Sequence, residues 1–148
     1  MEQFAVFRLE DKSFAIPLAN ILRVVRMVMV KTIPETPQFL AGIINLAGDI
    51  VPVIDLRLLV GLPKRPVRLS DRLLIAKVGE HILAIIADEV LPILACQADE
   101  VTLPPFSIRQ SAPIEAIIQQ NSELIQVINL LRIVQVPYDQ IQEACVDQ

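Results

Sequence analysis

Hydrophobic and polar positions alternate from the start of the chain: Phe4, Val6 and Leu9 precede a polar break at Glu10-Asp11-Lys12, and Phe14, Ile16 and Leu18 follow it. A period of two places alternate side chains on opposite faces of a strand, so two such runs around a short break predict a β-hairpin. The pattern returns as Leu73 to Val78, a turn at Gly79-Glu80-His81, then Leu83, Ile85 and Ala87. The two hairpins correspond in register: Arg8 matches Lys77, Ala15-Ile16 matches Ala84-Ile85 and Asn20-Ile21 matches Glu89-Val90, each 69 positions later. A second correspondence links Val53-Ile54-Asp55-Leu56 with Val127-Ile128-Asn129-Leu130, 74 positions apart. In both, an apolar strand runs into an Asp or Asn that can cap one or two helical turns.

Two similar β-rich halves follow, each opening on a hairpin and ending on a capped strand. A half of roughly 70 residues suits a small, partly closed barrel, because closure hides strand edges. The expected architecture is all-β, two fused small barrels. Between the hairpins, Thr36 can cap, Pro37 start and Gly42 stop one helical turn, and Ile43 to Asp55 reads as strand, turn at Ala47-Gly48-Asp49, strand. Gly61 to Pro66 and Leu103-Pro104-Pro105-Phe106 read as extended loops, since proline cannot donate to a ladder. The tail from Asp139 to Gln148 reads as frayed helix or disordered chain.

The stretch Ile21 to Val30 is apolar except for Arg23 and Arg26, so neither face of a strand there is polar. It is either a strand buried on both sides or one that offers an apolar face to a partner protein.

Composition narrows the class. Of the 148 residues 53% are hydrophobic and 20% charged, which excludes a disordered chain. One folding unit spanning 1–148 is expected at this length. No apolar run approaches the roughly 18 residues of a membrane span, and Met1-Glu2-Gln3 leads into a strand without a leader pattern, so a cytoplasmic location is expected. A net charge of −4 and 4% aromatics argue against nucleic acid. Cys96 and Cys145 lack metal-ligand spacing and read as reduced thiols. With four glycines and no phosphate-binding loop, no cofactor is implied.

Catalytic candidates are sparse. His81, the single histidine, reads as an exposed turn residue, with a base or ligand role as the alternative. Asp88-Glu89 and Asp99-Glu100 read as solvated charges, with a cation-dependent enzyme site on Asp88, Glu89 and Asp99 as the alternative. No metal is expected.

The segment Thr36 to Arg57, TPQFLAGIINLAGDIVPVIDLR, resembles the signature of the CheW family of chemotaxis adaptor proteins. That pattern closes a short helix with Gly, runs through Asn-Leu-Arg-Gly at a tight turn, and ends an apolar strand in Asp-Leu-Arg. Phe4 to Ile21, Leu73 to Val90 and Leu124 to Leu131 resemble the family's two hairpins and its closing strand and helix. The resemblance implies two five-stranded SH3-like barrels and a non-catalytic adaptor. Such an adaptor joins the cytoplasmic tip of a chemoreceptor-type protein to the regulatory domain of a CheA-type histidine kinase, in chemotaxis, phototaxis or twitching motility. It places the receptor groove on Leu18, Ile21, Arg23, Val24, Asn45, Ala47 and Gly48, and the kinase surface on the second barrel near Asp88, Val90 and Leu91. Two positions depart from the pattern: Arg23 stands where the family has Glu, and Ala47 where it has Arg. The alternative is therefore a CheW-fold module that binds the kinase or another scaffold but not ordinary chemoreceptors.

Overall fold

A computed structural model describes residues 1–103 and 112–134. Among them the strands are β1 (Glu2–Leu9), β2 (Lys12–Pro17), β3 (Ile21–Arg26), β4 (Leu40–Leu46), β5 (Asp49–Ile54), β6 (Arg72–Val78), β7 (His81–Ala87), β8 (Glu89–Cys96), β9 (Val101–Thr102), β10 (Ile114–Gln120) and β11 (Glu123–Ile128). They form two sheets, one ordered β8-β1-β2-β11-β10-β9 and the other β3-β6-β7-β5-β4. The hairpins sit where the alternation predicts them, but each completes the sheet of the other half. β1-β2 lies between β8 and β11, and β6-β7 lies between β3 and β5.

The internal repeat extends to the pairing register. Val53 faces Ala84 across a parallel pair, and Val127 faces Ala15 across the equivalent parallel pair. Ile21 faces Ala76, and Val90 faces Phe7. Because the period is two, each hairpin strand offers one face to its own sheet's interior and one to the space between the sheets. Phe4, Val6, Ala15, Ile118, Ile125 and Val127 fill one interior. Their repeat equivalents Leu73, Ile75, Ala84, Ile44, Val51 and Val53 fill the other. The opposite faces, including Phe7, Leu9, Phe14, Leu74 and Ile85, meet in a third and larger core between the sheets. Strands buried on both faces explain why so small a chain is 53% hydrophobic.

Both predicted strand caps form. The Asp55 side chain accepts from the Arg57 amide (3.2 Å) over a 3-10 turn at Leu56–Leu58. Asn129 accepts from the Arg132 amide (3.4 Å) at a helical turn over 130–134. The expected helical turn at 36–42 does not form. Leu40 donates to Pro37 O (3.0 Å) in a single reverse turn, while the Phe39 carbonyl accepts from the Asp55 amide (2.7 Å). Sheet pairing takes the backbone groups a helix would use. Gly42, read as a helix stop, lies inside β4 at a bulge with φ +151°. There Lys31 crosses β4, exchanging hydrogen bonds with Ile43 (2.9 and 2.8 Å). His81 opens β7 rather than lying in the turn, and is half-buried. The Pro104-Pro105-Phe106 loop, Cys145 and the 139–148 tail lie outside the described residues.

Candidate functional site

The apolar stretch after Ile21 divides: Val25, Met27 and Val30 pack against one sheet's interior, while Leu22, Val24, Val28 and Met29 are exposed. β3 is an edge strand of its sheet, covering only Ile21–Arg26, and Leu22 and Val24 are 53% and 43% exposed. The second edge of β3 has no paired strand among the described residues. Arg23 is exposed beside them and makes no ion pair within the described residues. The expected groove residues divide. Leu18 and Ile21 are half-buried and pack on the central core, while Arg23 and Val24 face outward.

Asn45, Ala47 and Gly48 belong to the β4-β5 turn, which lies at the other end of the same sheet order. Asn45 is exposed, and its Oδ1 accepts from the Gly48 amide (2.9 Å), closing the turn. Ala47 and Gly48 both have positive φ, +52° and +93°, as a two-residue hairpin turn requires. Alanine is strained there, and asparagine tolerates that conformation. Ala47→Asn should therefore raise stability by about 0.5 kcal/mol, read as a higher melting temperature in thermal denaturation.

The kinase-side expectation meets a different geometry. Val90 and Leu91 are half-buried on β8, packed on two different cores. Asp88 is turned inward, with its side chain 22% exposed. Its Oδ2 accepts from Arg57 (2.5 Å) and from the Glu10 amide (2.8 Å), and its Oδ1 accepts from Arg65 (2.5 Å). Arg57, 2% exposed, also reaches Glu10 Oε1 (3.1 Å). Arg65 forks onto both oxygens of buried Asp71 (3.0 and 2.6 Å). This network ties the β1-β2 turn, the end of β5, the loop before β6 and the β7-β8 junction, so it bridges both sheets. Burial alone would raise the Asp88 carboxyl, but hydrogen bonds from Arg57 and the Glu10 amide, with the charges of Arg57 and Arg65, hold it below the ordinary range. For Arg57, burial works against the charge and the bonds to Asp88 and Glu10 overcome it; for Arg65 the Asp71 bond leads. Asp55 is raised, because its burial outweighs its bond to the Arg57 amide.

Glu89, next in sequence, points outward to a loose pair with Arg8 (3.8 Å). Asp99 lies in a 3-10 turn after β8. Asp88, Glu89 and Asp99 do not converge, and among the described residues no cluster of three His, Cys, Asp or Glu side chains could hold a metal ion. Cys96 is a free, buried thiol whose pKa is raised by burial first and then by the charges of Glu100 and Glu2.

Sequence reasoning missed the roles of Arg57, Arg65 and Asp71. Arg57 closes the Asp-Leu-Arg run, and a charged residue directly after an apolar strand and a cap was the available signal. Nothing local marks Asp71 as 1% exposed. No helix of the described residues is long and apolar enough to cross a membrane.

Comparison with known proteins agrees with this architecture. The family model of the CheW-like domain matches residues 3–137. The chemotaxis protein CheW of Helicobacter pylori is 27% identical over 86% of this chain and 78% of its own length. Protein FrzA of Myxococcus xanthus is 26% identical over 90% of this chain and 86% of its own. Among solved structures, the scaffolding protein TtCheW from Thermoanaerobacter tengcongensis superposes with a TM-score of 0.79 at 30% identity, covering 87% of this chain and 84% of that one.

Proposed function

Because this chain belongs to the CheW-like domain family, we propose that it works as a non-catalytic adaptor that couples a chemoreceptor-type protein to a CheA-type histidine kinase. The observation that carries this reading is likeness to chemotaxis adaptors over nearly the whole chain, fold included. Geometry adds two supports. Asp88 is engaged by two guanidiniums and a backbone amide, which removes it as an acid, base or cation ligand. The exposed apolar residues Leu22 and Val24 on an edge strand suit protein association.

The receptor face is formed by Arg23 and Val24 on β3, which Leu18 and the strand's first residue Ile21 anchor to the central core, and by the β4-β5 turn of Asn45, Ala47 and Gly48 at the other end of the sheet order. The kinase face lies on β8, where Val90 and Leu91 are accessible in part and Asp88 acts by fixing the strand's start. Arg23, uncompensated on the surface, calls for an acidic group on the receptor tip. Arg23→Glu should weaken binding to the cognate receptor's cytoplasmic tip at least fivefold, measured by biosensor titration. Unchanged affinity would remove Arg23 from the interface.

A further inference from the structure

Beyond β3 the chain runs on as Met27, Val28 and Met29, and opposite it the loop before β6 presents Val67, Arg68 and Leu69. Together they line a groove of about 530 Å³. Met29 is 92% exposed and Leu69 90% exposed. The groove wall is built rather than loose: buried Asp71 accepts from the Arg68 amide (2.7 Å) and donates its own amide to the Arg68 carbonyl (3.0 Å). Arg65 in turn clamps Asp71. Leu69 is thus held out in water on pinned backbone, and Met29 is exposed in the same groove.

Cationic residues flank the groove in sequence, and Arg68 is the one that lines it. Arg26 and Arg72 are direct cross-strand partners at the ends of β3 and β6, a like-charge pairing that costs stability in the free protein. Lys31 lies between two residues that line the groove, and Arg68 lines it directly. None of these four makes an ion pair with an acid among the described residues. The charge is segregated: residues 21–87 carry nine basic and five acidic side chains, whereas the other described residues carry three basic and nine acidic.

We propose that this groove is a docking site for a short acidic segment of another protein, anchored by apolar side chains seated against Met29 and Leu69, held by a carboxylate at Arg68 and drawn by the positive charge of neighbouring Arg26, Lys31 and Arg72. Apolar grooves flanked by cations select such segments because the apolar anchors supply affinity while the charges set orientation and reject basic competitors. A second copy of this chain, whose other described residues carry three basic and nine acidic side chains, is the competing occupant, and the sedimentation arm of the test decides between the two. The inference does not depend on the adaptor reading, because its test needs neither kinase nor receptor.

The test is fluorescence anisotropy of the full chain with three labelled peptides: one of Glu and Leu at amphipathic spacing, one with Lys for Glu, and one with Ser for Leu. The Glu/Leu peptide should bind saturably and at least tenfold more tightly than either control. Arg68→Glu should weaken it at least tenfold and Met29→Ser at least fivefold, with unchanged melting curves; Arg26→Glu replaces Arg68→Glu if the latter disturbs the fold. Equal binding of the Lys/Leu peptide, absence of binding, or indifference to both groove substitutions would overturn the proposal. So would sedimentation equilibrium showing a dimer that Arg68→Glu abolishes, which would give the groove to a second copy.

Discussion

Asp88→Ala should lower the unfolding free energy by about 3 kcal/mol, because it removes the carboxylate that two nearly buried guanidiniums share. Arg57 is 2% exposed and would keep only Glu10. Arg65 would keep Asp71. The neighbouring Glu89→Ala is the internal control: its pair with Arg8 is long and solvated, so its cost should be about 0.5 kcal/mol or less. Urea denaturation of the three proteins measures the contrast. The pH dependence has a definite sign. The folded Asp88 carboxyl lies below its ordinary value of 3.8, so its stabilisation is complete above that value and is lost as the pH falls through the lower folded one. The gap between native protein and Asp88→Asn should accordingly be constant near neutrality and close below about pH 4. A gap that persists undiminished at strongly acidic pH would show that the network is held by shape rather than charge.

Gly42→Ala should be as damaging for a different reason. A Cβ at Gly42 would fall on the Lys31 carbonyl oxygen, far inside van der Waals contact, and 2.8 Å from Val30 Cγ1. The positive φ of +151° adds conformational strain for any residue with a side chain. Relieving the clash means displacing the Lys31–Ile43 bridge, where the chain leaving β3 crosses onto β4. Strain and overpacking together predict a loss of about 3 kcal/mol or more. Gly79→Ala separates the two contributions, since Gly79 has φ +60° and an added methyl group there would meet nothing within 4 Å. It should cost about 1 kcal/mol from backbone conformation alone. Equal losses at both positions, read from thermal melts, would eliminate the steric account of Gly42.

The hairpins, the repeat and both capped strands were legible because each is written locally: alternation at period two, a polar break, then Asp or Asn after an apolar run. What was not legible is which sheet each hairpin joins. Ala15 and Ala84 look alike in sequence, yet each pairs with a strand of the opposite half, a choice made by packing three cores at once. The helical turn at 36–42 failed for a related reason. Thr36, Pro37 and Gly42 carry real helix signals, but Asp55 claims the Phe39 carbonyl and Lys31 claims Ile43. Gly42 is required by a close approach that no local pattern announces.

Side-chain roles show the same division. Asn45 and Gly48 were recognisable as turn residues from type alone, and the turn forms. The exposure of Leu22 and Val24 was one of two open readings of an apolar run, and the tertiary packing, with Val25 turned to a core and its neighbours left in water, decides between them. Asp88 looked like its neighbour Glu89 in sequence. The difference is that Arg57 and Arg65 arrive from 31 and 23 residues away to bury one carboxylate and leave the other in water.

The central claim is that one folded chain holds a receptor and a kinase together. The most direct measurement is analytical ultracentrifugation of receptor cytoplasmic tip and kinase regulatory domain from the same genome, each labelled, with and without this protein. The account predicts that the two labels sediment separately alone and co-sediment in one faster complex when the protein is added. Binding of each partner in turn without a ternary complex, or binding of neither, would contradict it.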